Sequence, residues 1–182
     1  MTSRLFISLD IPDLVLDKLI LLKDTIYTGP NNLRWEKKNK LHITLKFLGD
    51  VGENILELLI RRLEEIEFDK ISCKFGKFNF FKRDGILKIL FASINENEQI
   101  DKIHKLIEDE CTMVGFNRKN RNFKPHVTLL RLRGYEELSK LSKFSNYKID
   151  DIEFNINSFS IVKSELKTAG SQFTTIKSFN LI

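Results

Sequence analysis

The sequence predicts an α+β protein of bilobal form, a duplicated unit whose two mainly antiparallel sheets line a central cleft with helices on the outside. Three observations predict it. One phrase occurs twice: His42-Ile43-Thr44-Leu45 returns as His126-Val127-Thr128-Leu129, each with a Lys two residues ahead (Lys40, Lys124) and a Gly a few residues on (Gly49, Gly134). The elements around the copies follow a similar order: helix, motif strand, helix, hairpin, then helix, motif strand, short helix, hairpin. No Pro/Gly/Ser-rich linker divides the halves, so residues 1–182 are expected to pack as a single domain.

Each element has its own warrant. Arg4-Leu5-Phe6-Ile7-Ser8-Leu9 reads as a buried first strand, after which Asp10 can cap a helix with Pro12 in its first turn. Leu16, Leu19, Ile20 and Ile26 give that helix an apolar face, and Gly29-Pro30 stops it. His42 to Leu48 forms the first motif strand, broken at Gly49-Asp50. Ile55, Leu59, Leu63 and Ile66 mark a second helix. Ile71, Cys73 and Phe75 alternate as a strand, and the shift of phase at Gly76 before Phe78 and Phe80 predicts a bulge. Asp84-Gly85 is a hairpin turn signal, with Ile86 to Ile94 as the partner strand.

Ile100, Ile103, Ile107, Cys111 and Val114 form a third helix closed by Gly115. After a basic loop and the second motif strand, Tyr135 to Phe144 can form a short helix. Ile152, Phe154 and Ile156 predict a strand running on to Val162, and the tail pairs back across a loop at Ala169-Gly170 with Phe173, Ile176, Phe179 and Leu181 as its apolar residues.

At 42% hydrophobic and 30% charged over 182 residues, the composition is that of a globular protein and excludes a disordered chain. The net charge of +5, with a pI near 9.1, is a modest basic excess that permits an anionic partner. Cys73 and Cys111 lack Cys-x-x-Cys spacing and read as buried free thiols in a reducing compartment. The stretch from Arg4 to Leu9 is too short for a signal core, and the longest apolar run, Leu19 to Leu22, is far below the ~20 residues of a membrane helix. A cytoplasmic, monomeric protein with no membrane partner is the expectation.

On a strand, His42 and Thr44 point one way while Ile43 and Leu45 point the other, and His126 and Thr128 repeat the pattern. If the halves pack motif to motif, two imidazoles and two hydroxyls converge. One neutral imidazole can take a proton from water and one imidazolium can protonate a leaving oxygen, near the ordinary histidine pKa of ~6.5. The threonine hydroxyls can donate to nonbridging phosphate oxygens. That set suits hydrolysis of a phosphodiester and requires no metal or other cofactor.

These residues resemble the two-histidine phosphoesterase superfamily, and specifically the bacterial and archaeal RNA 2′,3′-cyclic phosphodiesterases once described as 2′-5′ RNA ligases. The likeness is carried by Arg4 to Leu9, by Arg34-Trp35 ahead of Leu41-His42-Ile43-Thr44-Leu45-Lys46-Phe47-Leu48-Gly49, and by Phe123-Lys124-Pro125-His126-Val127-Thr128-Leu129-Leu130-Arg131. The resemblance implies a bilobal fold and metal-independent hydrolysis of 2′,3′-cyclic phosphates at RNA ends to 2′-phosphates. It implies a catalytic pair, His42 and His126, with His126 activating water and His42 protonating the departing 3′ oxygen. Thr44 and Thr128 would bind phosphate, and Phe47 and Arg131 would clasp the terminal base. Strict alternation puts Phe47 and Arg131 on the face opposite the histidines, so that role requires the strands to twist or end before them. The tail shows Gly170-Ser171-Gln172-Phe173 where the family tends to have Gly-Pro-x-Tyr, a departure that touches none of these residues.

Arg118, Lys119, Arg121 and Lys124 precede the second motif and Arg131 and Arg133 follow it, while Lys37, Lys38, Lys40 and Lys46 bracket the first. Such clusters suit an approaching polyanion. His104 lies beside the third helix's apolar stripe without a motif Thr and reads as structural. The same four motif residues would also serve a 2′-5′ RNA ligase or a 2′-5′ phosphodiesterase. A non-catalytic module holding RNA ends is the other alternative.

Overall fold

The computed structural model describes residues 2–29, 32–118, 122–149, 151–168 and 170–182. In chain order these form β1 (Thr2–Leu9), α1 (Asp13–Ile26), β2 (Ile43–Gly52), α2 (Glu53–Glu64), β3 (Ile71–Arg83), β4 (Ile86–Ile94), α3 (Glu98–Met113), β5 (His126–Arg131), α4 (Leu138–Leu141), β6 (Glu153–Ile156), β7 (Ser158–Lys167) and β8 (Gly170–Asn180).

The two expected sheets are one. All eight strands belong to a single sheet in the order β6-β3-β4-β5-β2-β1-β7-β8, and every pairing is antiparallel. The motif strands β2 and β5 are neighbours at its centre, with Ile43 opposite Val127. Both residues are fully buried, where unpaired backbone groups would be costly, so these strands join rather than face each other as free edges. The halves of the sheet also do not follow the halves of the chain. The β3–β4 hairpin, which follows the first motif, lies beside β5, and the β7–β8 hairpin, which follows the second, lies beside β1.

The predicted strand from Ile152 to Val162 breaks at Asn157. Its first part, β6, pairs with β3 at one edge, and its second, β7, pairs with β1 near the other. Six strand spacings would separate these places in a flat sheet, about 29 Å, whereas one residue spans about 3.5 Å. The sheet is therefore curled. The tail stitches the same end: Leu181 N donates to Asn157 O (2.8 Å), Ile182 N to Phe68 O (3.0 Å) and Lys70 N to Ile182 O (3.0 Å).

Helices pack around the sheet through the stripes seen in the sequence: Leu16, Leu19 and Ile26 of α1, Leu59 and Leu63 of α2, and Ile100, Ile103, Ile107 and Cys111 of α3. Asp84 and Gly85 both have left-handed φ (52° and 76°), as the tight β3–β4 turn requires. The bulge at Gly76 is present between Phe75 and Phe78, and a Cβ there would lie 2.6 Å from Asn95 Oδ1. Asp10 does not cap α1. It accepts instead from the Ser158 and Ser160 hydroxyls at 2.7 Å each, tying β1 to β7. Pro30 and Ala169 lie outside the described residues. Burial pushes the free Cys73 and Cys111 thiols up to about 12, which leaves them unreactive. No helix among the described residues is long and apolar enough to cross a membrane.

Lys46 is not a surface cation. The β1–β2 register steps from Ile7↔Lys46 to Ser8↔Thr44, so Leu45 is a bulge and both Leu45 and Lys46 turn into the core. Lys46, 2% exposed, donates to Glu108 Oε2 (2.6 Å) and to Asn117 O (3.0 Å), and Glu108 is 3% exposed. Glu108→Leu alone should lower unfolding stability by about 3–5 kcal/mol, because it strands a buried ammonium. Adding Lys46→Met should recover most of that loss. Urea denaturation midpoints test this, and a Glu108→Leu protein as stable as the double variant would refute it.

Candidate active site

With Ile43 and Val127 directed into the core, alternation turns His42, Thr44, His126 and Thr128 to the other face. The antiparallel register sets His42 across from Thr128 and Thr44 across from His126. The four side chains read from the repeated phrase thus meet at the sheet's centre with approximate twofold symmetry.

The shared Lys of each copy acts through its backbone. His126 Nδ1 donates to Lys124 O (2.7 Å), and His42 makes the corresponding bond to the Lys40 backbone. A proton held on Nδ1 leaves Nε2 as the nitrogen free for chemistry. On His42 that nitrogen lies 3.0 Å from Thr44 Oγ1, whose hydroxyl donates to it when the ring is neutral. Each ring also has an aromatic wall. Phe6 stacks on His42 (4.8 Å between centroids) with Phe173 at its edge (5.6 Å), while Phe81 and Phe91 meet His126 edge-on (4.8 and 5.4 Å).

These walls shape the electrostatics. Burial pushes His42 down to about 4, with the nearby charges of Arg131 and His126 adding to the effect. Burial also lowers His126, again with Arg131 contributing. Both rings are therefore mainly neutral near pH 7 in the free protein.

A second bulge explains Phe47 and Arg131. The β4–β5 register skips Leu129, as the β1–β2 register skips Leu45. Each bulge follows its motif Thr by one residue and resets the alternation, so Phe47 and Arg131 emerge on the histidine face. Strict alternation placed them behind it. Phe47, 58% exposed, packs on Phe6 at 6.1 Å. Because the strands run antiparallel from Ile43↔Val127, the two residues flank the quartet at opposite ends.

Three nearby residues were not legible as site residues. Glu36 Oε1 forms an ion pair with Arg131, 3.4 Å from its Nε, its Oε2 lies 3.9 Å from Lys40 Nζ, and its backbone N donates to the bulged Leu129 O at 2.8 Å. Phe6 lay within a strand read only as core. Phe173 lies in the tail segment that departs from the family pattern, so that departure does touch the site. Trp35 bridges to Leu130 on the second motif strand and packs on Tyr27 and Phe144.

The basic flanks are largely engaged. Lys46 is buried, Arg118 pairs with Asp109, Lys38 with Asp17 at 2.7 Å, and Lys40 with Glu36. Lys37 and Lys124 are exposed. Lys119 and Arg121 lie outside the described residues. His104 stacks flat on Phe123 (3.9 Å) near Glu108, away from the quartet. Among the described residues, no group of three or more His, Cys, Asp or Glu side chains could hold a metal ion.

Known proteins are similar to this chain over most of its length. The family model for the 2′-5′ RNA ligase superfamily matches residues 31–168. The RNA 2′,3′-cyclic phosphodiesterase of Archaeoglobus fulgidus is 26% identical over 97% of this chain and 99% of its own. That of Methanothermobacter thermautotrophicus is 25% identical over the whole of both chains. The fold matches that of E. coli LigT complexed with 3′-AMP, with a TM-score of 0.81 at 18% identity over 100% of this chain and 99% of the other.

Histidine NMR titration of the free protein should show His42 titrating near pH 4 and His126 below its ordinary value. Arg131→Gln removes a positive charge that opposes protonation, so both should move up. His104, depressed by burial and by other cations, is the internal control and should not move. Unchanged His42 and His126 titrations in Arg131→Gln would place the guanidinium out of their reach.

Proposed function

This chain belongs to the 2′-5′ RNA ligase superfamily, and from that premise we propose that its His–Thr quartet hydrolyses 2′,3′-cyclic phosphates at RNA ends to 2′-phosphates. The observation that carries this reading is the twofold setting of the two imidazoles, each with Nδ1 tied to a carbonyl and Nε2 left for proton transfer. The RNA 2′,3′-cyclic phosphodiesterases of Archaeoglobus fulgidus and Methanothermobacter thermautotrophicus match 97% and 100% of the chain, which supports the reading.

The cyclic phosphate sits between the strands with its nonbridging oxygens on the Thr44 and Thr128 hydroxyls, which hold the charge that builds at phosphorus. His126 Nε2 takes a proton from water as the water oxygen bonds to phosphorus. The P–O3′ bond breaks, and His42 Nε2–H passes its proton to O3′, leaving a 2′-phosphate and a 3′-hydroxyl. His42 must be protonated for this step, although burial, Arg131 and His126 keep it neutral in the free site. The incoming phosphate anion favours the imidazolium, so acid and substrate arrive together. Phe47 and Arg131 bracket the terminal nucleotide from the two ends, and Glu36 holds Arg131 in place. A 5′-hydroxyl in place of water would form a 2′-5′ linkage through the same residues, the activity in the superfamily's name. The two buried free thiols favour the reducing cytoplasm as the place of action.

His42→Ala and His126→Ala should each lower turnover of adenosine 2′,3′-cyclic phosphate by ~10²–10⁴. Thr44→Ala and Thr128→Ala should each cost about 1.5–3 kcal/mol of transition-state binding. Excess chelator should change nothing, and phosphorus NMR should identify the product as the 2′-phosphate. Near-normal rates in either histidine variant would overturn the mechanism.

A further inference from the structure

Two cavities lie near the quartet, one lined in part by His42 and the other reaching the phenylalanines that touch His126. The one at His42 is small, about 190 Å³, and is lined by Asp10 and Asp13 among others, with Lys38 already paired to Asp17. The one at His126 is much larger, about 740 Å³, and lies on the side away from His42, over β3 and β4 and against the start of α3. Phe81 and Phe91 line it and also touch His126, so cavity and quartet share a wall.

Its lining has the character of a nucleotide site. Phe81, Phe91 and Phe123 supply aromatic surface, and Asn79 and Ser93 supply hydrogen-bonding groups. Lys77 and Lys124 add positive charge, and Lys124 stands two residues ahead of His126, on the side nearest the quartet. Glu96, Glu98 and Asp101 occupy the α3 side, where they would repel phosphate but can accept from the amino group of a base. The volume falls within the ~300–1,000 Å³ typical of small-molecule sites.

Substrate chemistry requires a place of this kind. A 2′,3′-cyclic phosphate uses both the 2′ and 3′ oxygens of the terminal ribose, so an RNA chain can leave the quartet only through the 5′ oxygen. We propose that this cavity is the subsite for the penultimate nucleotide, with its base on the phenylalanine surface and the connecting phosphate toward Lys77 and Lys124. The inference rests on the phosphodiesterase reading above and adds to it a recognition site for the second nucleotide from the end.

The test compares kcat/KM for adenosine 2′,3′-cyclic phosphate with that for diadenosine ending in a 2′,3′-cyclic phosphate. One stacked base and one phosphate contact should favour the dinucleotide by about 10-fold or more. Phe123→Ala should reduce that preference to within about threefold while leaving mononucleotide turnover nearly unchanged. Lys77→Glu, at an exposed position whose ammonium donates to Asn146 Oδ1 (2.9 Å), should do the same and should also flatten the salt dependence of dinucleotide turnover, with unchanged mononucleotide turnover as the check that the fold is intact. Equal wild-type rates on both substrates, or variants that slow both substrates alike, would overturn the subsite while the phosphodiesterase reading stands. Absence of turnover on either substrate would overturn both.

Discussion

Ile43 and Val127 face each other across the centre of the sheet, both fully buried, and their register places everything else in the site. Alternation on an antiparallel pair leaves no choice: if these two aliphatics enter the core, the residues on either side of each must leave it on the opposite face. Those neighbours are His42, Thr44, His126 and Thr128. A slip of one residue on either strand would send that strand's histidine and threonine into the core and its aliphatics into the cleft. Packing of two small hydrophobic side chains thus fixes the geometry of a polar site that they never touch.

That register alone would waste the residues beyond the threonines. The matched bulges at Leu45 and Leu129 each add one residue to the inward run, so Leu45-Lys46 and Leu129-Leu130 both turn into the core and Phe47 and Arg131 return to the cleft. On β5 the second inward residue is Leu130, which costs nothing to bury. On β2 it is Lys46, which needs Glu108 from α3 and the Asn117 carbonyl to be tolerated there. The bulge therefore accounts for an ion pair far from the chemistry, and that pair fastens α3 to the strand bearing the first motif. Glu36 does related work on β5, where its backbone binds the bulged Leu129 carbonyl and its side chain holds the arginine that the bulge exposes.

The helical stripes, the Asp84-Gly85 turn and the Gly76 bulge were legible in the sequence because each is written in a few adjacent residues. The His–Thr quartet was legible because the phrase is repeated. The single sheet was not: which hairpin joins which motif strand depends on pairings far apart in the chain, and local alternation is the same either way. The break at Asn157 was hidden because Phe159, Ser160, Ile161 and Val162 are all buried, so β7 has no alternation to reveal a new strand. Nor do the motif bulges use a distinctive residue; Leu-Lys and Leu-Leu are ordinary strand sequence, which is why Lys46 read as a surface cation and why strict alternation set Phe47 and Arg131 on the face opposite the histidines. Glu36 stands next to Lys37 and Lys38 with no motif around it to mark it as a site residue.

The backbone of the site is nearly twofold, yet a cyclic phosphate is not, since one of its ester oxygens must leave and the other must stay. The asymmetry has to come from side chains. The fifth residue after each histidine holds the same place in the two copies of the phrase but is chemically opposite: an aromatic ring at Phe47 and a cation at Arg131. The walls differ as well, with Phe6 stacked flat on His42 while Phe81 and Phe91 meet His126 edge-on. Arg131 opposes protonation of both rings, so it makes each imidazolium depend on the phosphate that arrives. Two half-sites with the same backbone chemistry can then take different parts in one reaction, because what flanks them decides how the nucleotide lies and so which nitrogen meets the water and which meets the leaving oxygen.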